Sequence, residues 1–191
     1  SLPLPGEHMV GNALASIAVG LEFGIPIKVI AKALASFSGV RRRLEFCGNK
    51  AGISVFNDYG HHPTEIKATL AALRSGWGKD IHKLHVIFQP HRYSRTRHSF
   101  VDFLNSFQLA DSVIITDIYA AGEEPIEGIS AAQLVGALNH QSKSYLPQPA
   151  DAIDALVPQL KNGDFVLFLG AGSIGAAPSL LLDALERELA A

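Results

Sequence analysis

The 191-residue sequence lacks several features that would assign it to a class of protein at once. It has one cysteine, Cys47, which excludes an internal disulfide framework and a zinc site built from cysteines. No apolar run approaches the roughly 20 residues that a membrane-spanning helix needs, so no membrane partner is expected. No secretory leader is recognisable either, and these two absences together predict a reducing, cytoplasmic location.

Charge is also scarce. Charged residues make up 18% of the chain, and 16 Lys and Arg against 18 Asp and Glu leave a net charge of −2. This balance argues against a general nucleic-acid binder, and no nucleic-acid partner is expected. Neither a Gly-x4-Gly-Lys-Ser/Thr phosphate loop nor a Gly-x-Ser-x-Gly nucleophile elbow occurs. The hydrophobic fraction of 48% is ample for a packed core.

Apolar periodicity divides the chain into two regions. Helical spacing runs through two consecutive segments, from Leu14 and from Ile27, and predicts two helices within residues 1–36. From about residue 46, helical patterns alternate with short apolar runs. The runs at 84–88, 113–118 and 165–169 predict central parallel strands, and a weaker run at 53–56 is expected to pair with 44–47.

The alternation of strands and helices predicts an α/β fold with a doubly wound, mostly parallel, Rossmann-like sheet. The helical patterns lie at 66–73, 100–107, 153–160 and 182–189. Pro63 is typical of a first helical turn. Ser130 with Gln133 indicates a capping box for a helix that runs to Leu138.

A glycine-rich stretch follows the strand predicted at 165–169. Residues 170–175 read Gly-Ala-Gly-Ser-Ile-Gly, which matches the dinucleotide fingerprint and raises the alternative of a nicotinamide-binding Rossmann module. That fingerprint normally opens a βαβ unit with an acidic residue about 20 positions later on the next strand. Only 16 residues follow Gly175, and their pattern is helical. We therefore favour a tight strand-to-helix turn, whose amides could still hold an anion.

Two polar segments also follow predicted strands, where ligands bind in open α/β sheets. Residues 57–65 read Asn-Asp-Tyr-Gly-His-His-Pro-Thr-Glu. Adjacent histidines rarely point to one centre, and no His-x3-His spacing supports them, so no metal ligand is assigned. Ligand binding is nevertheless favoured because the polar residues come directly after a strand.

The second segment, residues 89–98, reads Gln-Pro-His-Arg-Tyr-Ser-Arg-Thr-Arg-His. On a first helical turn Arg92 and Arg95 would share a face, and their planar guanidinium groups suit a carboxylate or phosphate. Cations at a helix N-terminus are disfavoured by the macrodipole, so a bound anion would explain their placement. By contrast, two of the three arginines at 41–43 are expected to be solvated.

Taken together, these segments resemble the Mur ligases, and among them the alanine-adding members. The stretches that carry the resemblance are 6–15, 37–43, 58–66, 89–97, 117–123 and 170–175. They span nearly the whole chain in the family's order. Members have a UDP-binding domain, a central ATPase and a C-terminal Rossmann-like domain. The resemblance implies that 1–43 end a truncated central ATP-binding domain with its linker, and that 44–191 form the C-terminal ligase domain.

The resemblance also implies a function. The chain would be part of an ATP-dependent ligase that joins L-alanine to UDP-N-acetylmuramate through an acyl phosphate in peptidoglycan synthesis. ATP and Mg²⁺ would be its cofactors. The phosphate loop and most magnesium ligands would lie upstream, on the rest of its own ligase chain, so this segment alone is expected to be inactive.

Individual roles are implied by position in the matching motifs. His8 and Asn12 would contribute to the ATP site, Asn12 at the adenine, with Asp58 at the ribose and Arg43 at the phosphates. Met9 stands where the family usually has asparagine.

The alanine and acyl-phosphate pocket would be formed by Tyr59, His61, Arg92 and Arg95, with His61 and the two arginines as the catalytic groups. Two further alternatives remain open at this point. One is the recycling ligase that adds a tripeptide to the same sugar, and the other is a binding module without catalysis.

Overall fold

The structure is a computed structural model that describes residues 5–189. Its helices and strands are, in chain order, α1 (Glu7–Glu22), α2 (Ile27–Ala35), β1 (Glu45–Lys50), β2 (Ile53–Asp58), α3 (Pro63–Trp77), β3 (Leu84–Phe88), α4 (Tyr93–His98), α5 (Phe100–Phe103), β4 (Ser112–Ile115), α6 (Ala131–Ala137), β5 (Lys143–Tyr145), α7 (Pro149–Leu156), β6 (Phe165–Leu169) and α8 (Ala177–Leu189). Within this part of the chain, no helix is both long and apolar enough to cross a membrane.

The six strands form one sheet in the order β1-β2-β6-β3-β4-β5. Only β1 is antiparallel; it pairs with β2, and the other neighbours are parallel. The last strand, β6, inserts between β2 and β3. The predicted doubly wound, mostly parallel α/β fold is therefore confirmed.

Helices cover both faces of the sheet, because successive residues of each central strand point to opposite sides. Val86 and Phe88 pack in one apolar cluster with α3 and α6, whereas Ile87 packs in a second cluster with α7 and α8. All five residues of β3 and all five of β6 are buried. This two-sided burial explains why β6 is a continuous apolar run and why β3 is apolar except at His85.

Several predicted boundaries need correction. The strand predicted at 113–118 ends at Ile115, and a long loop follows it. The helix predicted at 100–107 lasts one turn, and the helix at 153–160 gives way to a 3₁₀ turn that contains Pro158. The short edge strand β5 was not predicted, since its three residues carry no alternating pattern. Ser130 does cap α6, by accepting a hydrogen bond from the Gln133 amide.

The first two helices leave much of their apolar surface exposed. Gly20 of α1 lies so close to Ile30 of α2 that an added Cβ would come within 2.7 Å of it. That contact joins the two helices, but Leu14 is 61% exposed and Phe23 80% exposed. Because burial of apolar surface is the main source of helix stability in proteins, this pair is held weakly compared with the sheet.

We expect the α1 amides to exchange at least about 100-fold faster than those of β3 and β6, since local opening of α1 exposes little further apolar surface. Hydrogen exchange followed by mass spectrometry on the isolated chain measures this difference. Helix α8 is the matched control, because it is of similar length but packs into the core, and its amides should follow the sheet. Equal protection of α1 and β6 would contradict the expectation.

A buried acid connects the amino ends of β3 and β6. Asp164 is 1% exposed; its carboxylate accepts the Lys161 amide at 2.8 Å, and it lies 2.6 Å from His82 Nδ1 and 3.3 Å from His85 Nε2. Burial opposes its charge, but these hydrogen bonds hold the pKa of Asp164 below its usual range. The pKa of His85 is also lowered, in this case by burial, although the hydrogen bond to Asp164 acts to raise it.

Both shifts predict loss of stability in acid. A lowered pKa in the fold means that the unfolded chain binds more protons, so the free energy of unfolding falls as the pH drops. The His85 contribution is lost below its unfolded value of about 6.5, and the Asp164 contribution follows below about 4. Urea unfolding between pH 7 and pH 2 measures the slope, and the part below about pH 4 reports on Asp164.

Asp164→Asn should flatten the pH dependence below about pH 4 and cost about 1–3 kcal/mol at pH 7, because the amide replaces one acceptor oxygen with a donor. Asp154→Asn, at an exposed position of α7, is the control and should behave as the parent chain does. An unchanged acid slope in Asp164→Asn would show that this carboxylate is not the group that titrates.

Candidate active site

The carboxyl ends of three adjacent strands bring the predicted ligand segments together. Strands β2, β6 and β3 are neighbours and end at Asp58, Leu169 and Phe88. The Gly170 amide donates to the Asp58 carbonyl at 3.1 Å, and the Gln89 amide donates to the Leu169 carbonyl at 2.9 Å. The stretches 57–65, 89–98 and 170–175 therefore meet at one edge of the sheet.

Asp58 anchors the loop that follows β2. Its buried carboxylate accepts from the amides of Leu44 and Gly60, both at 2.7 Å, and from the Thr69 hydroxyl at 3.2 Å. Burial raises the pKa of Asp58, while the two amide hydrogen bonds favour the ionised form. The carboxylate thus joins the linker before β1 to the loop after β2 and to α3.

The adjacent histidines have separate tasks. His62 caps α3, where its Nδ1 accepts from the Thr64 amide at 3.3 Å. His61 instead places Nδ1 3.0 Å from the Tyr59 carbonyl. Since a carbonyl only accepts, Nδ1 carries the proton of the neutral ring and Nε2 keeps its lone pair. Of these two histidines, His61 is therefore the one that can offer a base to the strand-end site.

Glu65 completes the cap of α3. Its Oε2 accepts from the amides of His61 and His62, at 2.9 and 3.1 Å. Desolvation works against its charge, but the hydrogen bonds hold the pKa of Glu65 below its usual range. The ionised Glu65 thereby fixes the backbone that carries His61.

The first turn of α4 presents the predicted arginines. Arg92 precedes the helix with φ 71, an unusual value for a residue with a side chain, and its amide donates to the Tyr119 carbonyl at 2.8 Å. Glu123 accepts from the amide and the hydroxyl of Ser94, at 2.9 and 2.6 Å, and these bonds lower the pKa of Glu123. Arg92 Nη1 lies 4.0 Å from Glu123.

Glu123 places a negative charge of the protein itself at the N-terminus of α4. A ligand is not needed to supply the negative charge at the N-terminus of α4, because Glu123 supplies one from the 116–130 loop. Glu123 thus explains the placement of these cations without the bound anion that the sequence suggested. Their availability to a ligand depends on their remaining hydrogen-bond donors.

Arg95 is half-buried and oriented by His91. Its Nη1 lies 3.1 Å from His91 Nδ1, which must accept because a guanidinium only donates. Burial lowers the pKa of His91, and the neighbouring Arg95, His61 and Arg92 side chains lower it further. His91 thus stays neutral and serves as an acceptor that fixes Arg95, whose other donors remain for a ligand.

Four rings form a row across the strand ends. The centroids of Tyr59 and His61 are 5.4 Å apart, those of His61 and His91 5.9 Å, and those of His91 and Tyr119 5.5 Å. Arg95 adjoins this row at His91. Flat rings beside fixed guanidinium donors can hold a small ligand that has a carboxylate and an apolar group.

A cavity of about 620 Å³ lies between α1, α2 and α3. Its lining is mostly apolar and includes Leu34 of α2 and Phe37, which follows that helix. The polar side chains in the lining include Asn12, Arg43 and Asp58. Its volume lies within the range of about 300–1,000 Å³ that is typical of small-molecule sites. The structure thus brings three of the predicted nucleotide residues to one cavity, from three separate segments.

Arg43 connects this cavity to the row of rings. It lines the cavity, and its Cζ lies 5.4 Å from the centroid of the Tyr59 ring. Asn12 is exposed on α1, where its amide nitrogen is 4.0 Å from the Met9 sulfur. The side chain of His8 lies outside the described residues.

The glycine-rich turn is occupied by the protein's own groups. The Ile174 amide donates to Gln89 Oε1 at 3.0 Å, and Arg42 donates to the carbonyls of Gly170 and Gly172. A 3₁₀ turn at Ser173–Ala176 then leads into α8. The interpretation as a tight strand-to-helix turn is supported, and the nicotinamide alternative is not favoured.

The described residues do not fit a magnesium site of their own. Among the side chains that the structure describes, no three from His, Cys, Asp or Glu are grouped so that they could hold a metal ion. Cys47 is half-buried, and burial, with Glu45 nearby, raises the pKa of its thiol to about 11, so the thiol stays protonated at neutral pH.

Sequence reasoning missed several residues of the site. His91 and Glu123 lie within the stretches that carry the family resemblance, but no role was assigned to them. Tyr119 lies in the same stretch as Glu123, residues 117–123. Arg42 lies among three arginines, of which Arg41 and Arg43 are exposed as expected and Arg42 is not. No pattern in the sequence distinguishes it from its neighbours.

The fold and the site define the chain as a doubly wound α/β domain with a cationic pocket at its strand ends and an apolar cavity beside it. The family model "Mur ligase, glutamate ligase domain" matches residues 42–172. The chain belongs to this Mur ligase family.

Several ligases of known sequence or structure are similar to this chain. A UDP-N-acetylmuramate–L-alanine ligase of Desulfotalea psychrophila is 46% identical over 186 residues, which are 96% of this chain and 40% of that protein. The crystal structure of the UDP-N-acetylmuramate–alanine ligase of Thermotoga maritima matches 98% of this chain and 40% of its own, with a TM-score of 0.79 and 28% identity. A murein peptide ligase of Psychrobacter arcticus matches 97% of this chain and 38% of its own, with a TM-score of 0.69 and 27% identity.

The chain thus spans about 40% of the length of the curated relatives that it matches.

Proposed function

We propose that this chain is the C-terminal part of a cytoplasmic, ATP-dependent ligase that joins L-alanine to UDP-N-acetylmuramate. One observation carries the proposal: Arg43 and Tyr59 join an apolar cavity, sized for a small molecule, to a pocket of rings and arginines. A ligase of this kind needs these two sites side by side, because the nucleotide activates a carboxylate that the amino acid then attacks.

The cavity is the proposed nucleotide site. Its apolar walls between α1 and α3 suit a base, and Asn12 offers an amide to it. Arg43 stands at the exit toward Tyr59, where a phosphate chain would need a cation. Asp58 has both oxygens committed to the protein, so we propose that it shapes the wall near the ribose and offers remaining lone pairs.

The row of rings is the proposed alanine pocket. Arg95, oriented by His91, can grip the alanine carboxylate with two parallel hydrogen bonds. Arg92 is half-exposed and can move from Glu123 to neutralise the acyl phosphate. His61 keeps Nε2 free to accept a proton from the attacking amine, while Tyr59 gives the pocket an apolar wall.

ATP would supply the phosphate that makes the carboxyl group of UDP-N-acetylmuramate reactive. Binding of Mg²⁺, the phosphate loop and the UDP site are assigned to an upstream part of the same ligase. The exposed apolar faces of α1 and α2, with Leu14 and Phe23, are proposed to pack against that part. Domain boundaries follow: 1–43 end the central domain with its linker, and 44–191 form the ligase domain.

The tripeptide-adding ligase is the second candidate. The murein peptide ligase of Psychrobacter arcticus raises it, with 27% identity and a TM-score of 0.69 against 28% and 0.79 for the alanine ligase. The relative that is 46% identical carries the alanine-adding name, and on this ground we prefer alanine.

The test joins this chain to the upstream part of the Desulfotalea psychrophila relative. The joined protein should form the alanyl product from UDP-N-acetylmuramate, L-alanine and ATP, with one phosphate released per product. The chain alone should release no phosphate above a buffer blank. Turnover by the isolated chain, or a folded joined protein that makes no product, would refute the proposal.

A further inference from the structure

The glycine-rich turn and Arg42 have no task in the proposed reaction, yet they are tightly fitted to each other. Arg42 belongs to the linker between α2 and β1, and its backbone is held in the left-handed region with φ 57. Its Nη2 donates to the Gly170 carbonyl at 2.5 Å and to the Gly172 carbonyl at 3.2 Å. The linker is thereby fastened to the carboxyl end of β6.

The turn is shaped to receive a guanidinium group. A Cβ added at Gly175 would lie 2.5 Å from the Arg42 Cζ, so any side chain there would displace the arginine. The side-chain amide of Asn57 also stabilises the turn, because its nitrogen donates to the Gly175 carbonyl at 3.1 Å. At Gly170, with φ 143, a Cβ would meet the Gln89 carbonyl at 2.7 Å. The glycines therefore permit close approaches within the protein, one of them to Arg42.

The other side of Arg42 holds Tyr59. The Arg42 Cζ lies 4.9 Å from the centroid of the Tyr59 ring, a cation–π distance, and the Tyr59 amide donates to the Arg42 carbonyl at 2.7 Å. Tyr59 in turn meets the His61 ring edge-on. Arg42 thus fixes both the backbone and the ring of the residue at which the row of rings begins.

Stability alone does not explain an arginine at this position. Its Nε is buried and has no hydrogen-bond partner within the described part of the chain. An unpaired buried N–H costs folding free energy, which a side chain selected only for packing would avoid. The arginine instead spans the distance between the turn and the Tyr59 ring.

We propose that residues 170–175 form a socket for Arg42, and that Arg42 is a positioning residue that sets the Tyr59 ring and so the wall of the amino-acid pocket. This inference rests on the proposed function for its kinetic consequence, but not for the socket itself. It accounts for a glycine pattern that resembles a dinucleotide fingerprint but binds side chains of the protein itself.

The socket is tested in the 191-residue chain by NMR with ring-labelled tyrosine, since four tyrosines give four resolvable environments. Arg42→Lys and Gly175→Ala should both shift the Tyr59 ring signal and leave that of Tyr145 in place. Arg41→Lys, at a side chain that is 94% exposed, is the matched control and should shift neither. An unmoved Tyr59 signal in folded Arg42→Lys and Gly175→Ala would overturn the socket.

The kinetic consequence is tested in the joined ligase. Arg42→Lys and Gly175→Ala should each raise KM for alanine about 10- to 100-fold, with KM for UDP-N-acetylmuramate unchanged, because a misplaced pocket wall weakens positioning. The double variant should be no worse than either single variant, since both remove one interaction. Unchanged alanine kinetics, or additive losses, would overturn the positioning role. If the parent ligase makes no product, the proposed function fails while the Tyr59 signal still decides the socket.

Discussion

Arg95→Ala in the joined ligase is expected to lower kcat/KM for alanine about 30- to 1,000-fold, which corresponds to about 2–4 kcal/mol. The reason is geometric as well as electrostatic. His91 fixes Arg95 Nη1 from one side, so the guanidinium is already oriented before a carboxylate arrives. Arg95→Lys keeps the charge but loses the planar pair of donors, and it should remain strongly impaired.

Steady-state kinetics with alanine and UDP-N-acetylmuramate varied separately measure this loss. The defect should appear with alanine and leave KM for UDP-N-acetylmuramate within about twofold, because the arginine is assigned to the amino acid alone. Arg97→Ala, at an exposed position of the same helix, is the matched control and should be near the parent. Parent-like alanine kinetics in both Arg95 variants would remove this residue from the pocket.

Asp58→Ala is expected to lower the free energy of unfolding by about 3–5 kcal/mol. The substitution leaves the buried amides of Leu44 and Gly60 and the Thr69 hydroxyl without their acceptor, and each unpaired group costs about 1–3 kcal/mol. Urea unfolding followed by circular dichroism gives the change, provided that the slope with denaturant stays constant.

Asp117→Ala provides the control for this change. Asp117 follows β4 as Asp58 ends β2, but it is exposed, and within the described part of the chain its carboxylate accepts only from the Tyr145 hydroxyl. Its loss should cost less than about 1 kcal/mol. If the two variants were equally stable, the carboxylate of Asp58 would not be the anchor of the strand-end loop.

The fold was largely predictable because two-sided burial leaves a strong mark on the sequence. The run at 165–169 is apolar at every position and the run at 84–88 at every position except His85, and the structure has them as central strands with those same bounds. Strand β5 was missed because three half-exposed residues at a sheet edge need no apolar pattern. The end of strand β4 was predicted three residues too late, because Ile118 is buried without being in a strand.

The site was predictable only where a residue type is unusual for its local position. Arginines on the first turn of a helix drew attention to Arg92 and Arg95, although Glu123 supplies the opposite charge from a distant loop. Arg42 could not be selected, because its contacts are to residues 128 and 130 positions away. Such contacts depend on the order of strands in the sheet, which local patterns do not encode.

The identity of the added amino acid is the most direct test of the central proposal. The joined ligase would be given equal concentrations of L-alanine and the tripeptide L-alanyl-γ-D-glutamyl-meso-diaminopimelate, with UDP-N-acetylmuramate and ATP, and the product would be weighed by mass spectrometry. The pocket of Tyr59, His61, Arg92 and Arg95 predicts a product heavier by one alanyl residue. A product heavier by the whole tripeptide would contradict it and establish the second candidate.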